Sequence, residues 1–82
     1  MNDIQTLAAL RPGETGSITA LHNTGSIRQR LQDLGLVEGT RVECVGSSPG
    51  GGMSAYRVRG AVIALRRTDS EKVLLQTEKG AR

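Results

Sequence analysis

The sequence predicts a mainly β protein: a small closed or partly closed barrel of about five strands, with one clear α-helix and one or two short helical turns. Three observations carry this. Short runs of residues alternate apolar with polar, the period of a half-buried strand. Eleven glycines and two prolines in 82 residues interrupt the chain too often for long helices. One stretch alone, 26–34, repeats its apolar residues at helical spacing. At this length the chain forms a single domain, 1–82, with no internal repeat and no linker.

In chain order, Ile4, Leu7, Ala8 and Leu10 have the spacing of a short helical or 3₁₀ segment. Arg11-Pro12-Gly13-Glu14 reads as a type II turn, with Pro presetting the first central residue and Gly taking the positive φ of the second. Ser17 to Leu21 alternates as a strand. The helix follows, with Ile27, Leu31 and Leu34 on one face expected to be buried and a Ser26-x-x-Gln29 capping box at its start. Gly35 ends it in the left-handed conformation, which lets Leu36 fold back onto Leu31. Thr40 to Val45 alternates again, with Val42 and Cys44 on one side, and Gly46 marks a bulge or bend. Ser47 to Gly52 is a loop by composition. Strands over about Met53–Arg59 and Ala61–Arg66 meet at Gly60. Thr68 and Glu71 repeat the capping-box spacing, predicting a helical turn over Thr68–Lys72. Val73–Thr77 is the last strand, and Glu78–Arg82 a polar tail expected to fray.

Composition narrows the class. The chain has one Tyr, no Trp and no Phe, so its core is aliphatic. One Cys excludes an internal disulfide and any multi-cysteine zinc framework. No apolar run reaches the roughly 20 residues of a membrane span, and Met1-Asn2-Asp3 lacks a basic leader start. The expectation is a soluble, reduced, cytoplasmic protein without direct membrane insertion. Net charge is +3, carried mostly by arginine, which suits specific pairing with carboxylates better than bulk attraction to nucleic acid.

Enzyme chemistry finds little support. His22 and Cys44 are the only His and Cys, and Cys44 falls on the apolar side of its strand, where a thiol is an inert filler. Asp69 and Glu71 belong to a helix start, where carboxylates favour the dipole. The Pro49-Gly50-Gly51-Gly52 loop lacks the Lys-Ser/Thr and the following helix of a phosphate cradle. His22 is the only plausible anchor for a metal, and one imidazole supports only a weak divalent site at a surface or at an interface with a second copy. No cofactor is required. Tyr56 with Arg57 and Arg59 is a thin version of a base-stacking face, and a Tyr covering the barrel edge is the plainer reading. A nucleic-acid or small-ligand module stays open as the alternative function, though no nucleic acid is expected.

Several motifs together carry a family resemblance: Leu7-x-x-Leu10-x-Pro12-Gly13, Gly16-x-Ile18, Arg30-Leu31-x-x-Leu34-Gly35-Leu36, Gly39-Thr40-x-Val42, Ser48-Pro49, and Arg59-Gly60-x-x-Ile63-Ala64-Leu65-Arg66. In this order they resemble FeoA, departing at Glu38, where Pro is common before Gly-Thr. The resemblance implies an SH3-like barrel with inserted helices. It implies a non-enzymatic accessory role in bacterial ferrous iron uptake, through contact with the cytosolic GTP-binding part of the FeoB membrane transporter. It also implies the stand-alone form of a domain that iron-dependent repressors carry behind a winged helix. An SH3-like fold here does not import proline-peptide binding, which needs an aromatic-lined groove. Residues left to meet a partner are Arg28, Arg30, Leu36 and Val37 around the helix, with Arg57, Arg59, Arg66 and Arg67 from the sheet. Self-association through an open sheet edge is a further expectation, making a homo-oligomer possible.

Overall fold

The structure, a computed structural model, describes residues 4–77. The expected fraying of Glu78–Arg82 lies outside these residues. Strands β1 (Ile4–Thr6), β2 (Thr15–Leu21), β3 (Arg41–Ser47), β4 (Met53–Val58), β5 (Ala61–Arg66) and β6 (Val73–Thr77) form one sheet. Its order is β1-β6-β2-β3-β4-β5, with every neighbour antiparallel. Helix α1 (Gly25–Asp33) joins β2 to β3, and one-turn α2 (Arg67–Ser70) joins β5 to β6. Leu7–Ala9 and Pro49–Gly51 are 3₁₀ turns.

The mainly β class and the single substantial helix agree with the sequence reading, and the strand count is six rather than about five. The added strand is Ile4–Thr6, whose spacing suggested helix. It extends because β6, from the other end of the chain, offers Leu74–Gln76 as a pairing edge, a tertiary interaction no local pattern reveals. Leu7–Ala9 keeps the helical turn. At Arg11–Glu14 the expected turn forms, with Gly13 at φ 94° and Glu14 N–H donating to Arg11 C=O at 2.9 Å. The β3–β4 register shifts between Cys44 and Gly46, the bulge expected there.

The core is aliphatic except for Cys44 and Tyr56; Tyr56 is wholly buried and its hydroxyl donates to Leu7 C=O at 3.3 Å. This corrects the expectation of a Tyr at the barrel edge. Strand alternation explains it: Tyr56 and Val58 face inward while Arg57 between them faces out. Cys44 is also wholly buried, its Sγ near Gly46 C=O.

Helix α1 needs two corrections. Only Leu31 of its apolar face is fully buried; Ile27 packs partly against the core and Leu34 is 39% exposed. The chain reverses at once after the helix, and Leu36 rather than Leu34 fills the space beneath Leu31. Two backbone bonds fix this reversal, Gly35 N–H to Gln32 C=O and Leu36 N–H to Leu31 C=O, both 3.0 Å. They are the paired bonds of a Schellman motif, with Gly35 at φ 106°. The second correction concerns the start: the N-cap is Thr24, no side chain caps it, and the Ser26–Gln29 box does not form. Gln29 instead donates to Asp33 Oδ1 at 2.9 Å. The box expected at Thr68–Glu71 fails likewise, since α2 starts one residue early and Glu71 pairs with Arg67 at 3.0 Å.

Candidate partner-binding surface

The β4–β5 hairpin closes through two residues, Arg59 (φ 53°) and Gly60 (φ 85°). Positive φ at both central positions is the type I′ turn, which matches the right-handed twist of the strands. Gly suits its position. Arg59 is the one non-glycine described with positive φ, and holding a long side chain there costs about 1–2 kcal/mol. The turn sits over the end of α1: a Cβ on Gly35 would lie 3.1 Å from Arg59 Cδ and 3.3 Å from Val58 Cγ1. Gly35 thus leaves room for the Arg59 stem to cross the helix C-terminus.

Beyond this corner an open groove of about 800 Å³ runs between the hairpin and the α1–β3 connection, reaching Val37, Glu38, Arg41 and Thr15 as well as Arg57 and Arg59. Val37 is held by a tight turn, its N–H bonded to Gly35 C=O at 2.9 Å and its C=O accepting from Thr40 N–H at 3.0 Å. Glu43 and Arg57 face each other across β3 and β4 and form an ion pair at 3.1 Å. With the Arg57 side chain 50% and the Glu43 side chain 38% exposed, this pair adds little stability. It turns the Arg57 guanidinium toward Glu43. Arg59 has no hydrogen bond or ion pair among the described residues, so its guanidinium is open to a ligand on the groove.

The structure therefore brings together Val37, Arg57 and Arg59 and separates the remaining candidates. Leu36 is wholly buried, as its fold back onto Leu31 requires, so it is no contact residue. Arg28 is half-buried; its Nη1 donates to Leu21 C=O and, more weakly at 3.4 Å, to Asn23 C=O. It ties α1 to the end of β2 instead of facing a partner. Arg30 is exposed on a different face, across a cleft from Arg66, and Arg67 is paired with Glu71. Thr15 and Arg41 were not legible as site residues, because the pairing of β2 with β3 brings them to the groove, and Glu38 joins them from the turn after Val37.

His22 is exposed, with its backbone N–H bonded to Lys72 C=O at 2.7 Å. Among the described residues no group of three or more His, Cys, Asp and Glu could hold a metal ion. Wholly buried Cys44 offers His22 no accessible thiol partner. The glycine loop is closed by its own bonds, Ser48 N–H to Met53 C=O at 2.9 Å and Met53 N–H to Ser48 Oγ at 3.1 Å, and it leads into a strand. Tyr56, buried, presents no stacking platform. Among the described residues no helix is long and apolar enough to cross a membrane.

Comparison with known proteins agrees with this architecture. The FeoA domain model matches residues 5–77. The solution structure of FeoA from Chlorobium tepidum is 26% identical and superposes with a TM-score of 0.87, covering 95% of this chain and 74% of that one. A zinc complex of Stenotrophomonas maltophilia FeoA is 27% identical with a TM-score of 0.76, covering 87% and 88%. That protein is described as a prokaryotic SH3 domain protein and a candidate ferrous iron transport activating factor. A manganese-dependent transcriptional repressor shares the fold at 16% identity and a TM-score of 0.82, over 37% of its length. Among the curated proteins no sequence matches.

Proposed function

The chain belongs to the FeoA family, and from that premise we propose that it is a non-enzymatic cytoplasmic accessory of bacterial ferrous iron uptake. It acts by binding the cytosolic GTP-binding part of a FeoB-type transporter through the groove beside Val37, Arg57 and Arg59. One observation carries the choice of surface: Arg59 occupies a left-handed turn position that Asn or Gly would fill at lower cost. A side chain kept there against its backbone preference points to use of its guanidinium. Arg59 at the turn and Arg57 beside Glu43 place two guanidinium groups along one groove, an arrangement suited to carboxylates of a partner. The surrounding Val37 supplies the apolar element of a modest interface.

Iron is cargo in this reading, not a resident cofactor. His22 anchors at most weak divalent binding at the surface or between two copies, since imidazole alone lacks the ligand set for tight coordination. The nucleic-acid alternative loses its main feature with Tyr56 in the core.

Titration calorimetry of the whole chain with the soluble GTP-binding portion of the transporter tests the proposal. Affinity falls as salt rises, and Arg59→Asn lowers it about tenfold or more while leaving the melting temperature equal or higher, because Asn tolerates the turn. Unchanged affinity in Arg59→Asn removes the groove from the interface. Tight stoichiometric Fe²⁺ binding by the chain alone makes it an iron carrier instead.

A further inference from the structure

A second surface, outside the groove, is left incomplete by the fold. β5 ends the sheet and pairs with β4 without a register shift, from Met53 opposite Arg66 to Val58 opposite Ala61. In a hairpin closed by two residues, the pair flanking the turn exchanges both ladder bonds, and every second pair does so after it. Val58–Ala61, Tyr56–Ile63 and Ser54–Leu65 are those pairs. Val62 and Ala64 consequently turn their N–H and C=O groups away from β4, and no described residue takes them up. Proteins usually blunt such an edge with Lys, Pro, a bulge or extreme shortness. The opposite edge, β1, is only three residues long. β5 has six residues, no Lys, no Pro and no bulge, and its one charge is the terminal Arg66.

The α1 face that the sequence marks as core looks toward this edge. A cleft of about 400 Å³ separates Ile27, Arg30 and Leu31 of α1 from Ala64, Leu65 and Arg66 of β5, with Met53 also on its wall. Met53 is 40% exposed, and Leu34, one turn beyond Arg30 and Leu31 on the helix, is 39% exposed. Ala64, with its unpaired ladder groups, and the exposed Met53 therefore border the same space, which is what strand addition requires.

We propose that this cleft receives an extended segment of another protein, added antiparallel or parallel to β5, apolar at alternate positions and acidic at its ends. Charge selects that occupant. Arg30 and Arg66 border the cleft against Asp69 alone, and the Arg57–Arg59 corner stands at the other end of β5. A second copy paired antiparallel through Ala64 sets Arg66 of each chain beside Val62 and the Arg57–Arg59 corner of the other. Like charges then meet twice, whereas acidic ends meet opposite charge at both. The inference does not depend on the transporter being the partner, since the cleft between α1 and β5 lies apart from the groove and the added segment meets the groove only at the Arg57–Arg59 corner.

The probe is a blocked peptide, acetyl-Glu-Val-Thr-Val-Thr-Val-Glu-amide, titrated into the full isotope-labelled chain by NMR. Saturable shifts at the Val62, Ala64 and Arg66 amides are expected, with slowed hydrogen exchange at Val62 and Ala64. Two N-methylated versions of the peptide are compared, one methylated at the odd and one at the even positions. One of them binds about tenfold or more weakly and the other about as well as the parent, because only one face of a strand bonds to an edge. Lys in place of Glu at both ends also weakens binding. Ala64→Pro removes an outward N–H without breaking a ladder bond and abolishes the shifts; if it does not fold, the N-methylated pair decides alone. Equal affinity of both N-methylated peptides, or shifts confined to the groove, overturns the proposal. Sedimentation showing a β5-mediated dimer without peptide replaces the acidic segment with a second copy.

Discussion

The two ends of α1 are held by different means. The C-terminal end is closed locally: Gly35 reverses the chain, two backbone bonds complete the Schellman motif, and Leu36 packs beneath Leu31. The N-terminal end has no side-chain cap and is held from a distance, by Arg28 donating to the end of β2. A terminus built from consecutive residues is written in the sequence. One built by a guanidinium reaching back across a loop is not, because its acceptors are carbonyls whose positions depend on the sheet.

Breaking the C-terminal end has the largest expected effect. Gly35→Val forces a β-branched residue to φ 106°, costing about 1–2 kcal/mol in backbone conformation. Its Cβ meets Arg59 Cδ at 3.1 Å and Val58 Cγ1 at 3.3 Å, and such crowding adds about 1–3 kcal/mol. A loss of about 4 kcal/mol is expected, read by urea denaturation as a lower midpoint. An unchanged midpoint places the end of the helix elsewhere. Because the same substitution displaces Arg59, it also weakens partner binding in any variant that remains folded.

Breaking the N-terminal end costs less. Arg28→Ala leaves the Leu21 and Asn23 carbonyls without a charged donor, at a cost of about 1–2 kcal/mol for half-buried groups that water partly rescues. Hydrogen exchange should quicken through the first turn of α1 more than at Leu36. Uniform quickening along the helix means that Arg28 contributes only through global stability. Transporter affinity is expected to stay unchanged, since Arg28 lies away from the groove.

This contrast explains what the sequence disclosed. β5 and β6 match the structure at both ends because their alternation is short, regular and flanked by turn residues. Ile4–Thr6 carries no strand signal of its own, because its three residues extend only through pairing with β6. For the site, Arg57 and Arg59 stand out in the sequence as exposed arginines, but grouping them with Tyr56 on one face ignores the alternation that buries Tyr56, and nothing local keeps Arg59 in a left-handed turn. Arg28 and Arg30 look alike in sequence. They differ only because the chain entering the helix passes within reach of Arg28, leaving Arg30 exposed. Leu36 reads in the sequence both as a partner contact and as a residue folded onto Leu31, and its complete burial selects the second.

The smallest effect sharpens the comparison furthest. Ser26 sits at the position the capping-box spacing assigns to the N-cap, where replacing Ser by Ala typically costs about 1 kcal/mol. In the structure the cap is Thr24, Ser26 is exposed within the first turn, and no side chain bonds the helix N-terminus. Ser26→Ala therefore removes no hydrogen bond, and the higher helix propensity of Ala offsets what little solvation is lost. The expected change in unfolding free energy is within about 0.3 kcal/mol, checked in the same urea series as Arg28→Ala. A loss near 1 kcal/mol means that Ser26 caps the helix in solution after all. The N-terminal end then becomes as locally determined as the C-terminal one, and the double variant Ser26→Ala/Arg28→Ala shows less than additive loss if both secure the same turn.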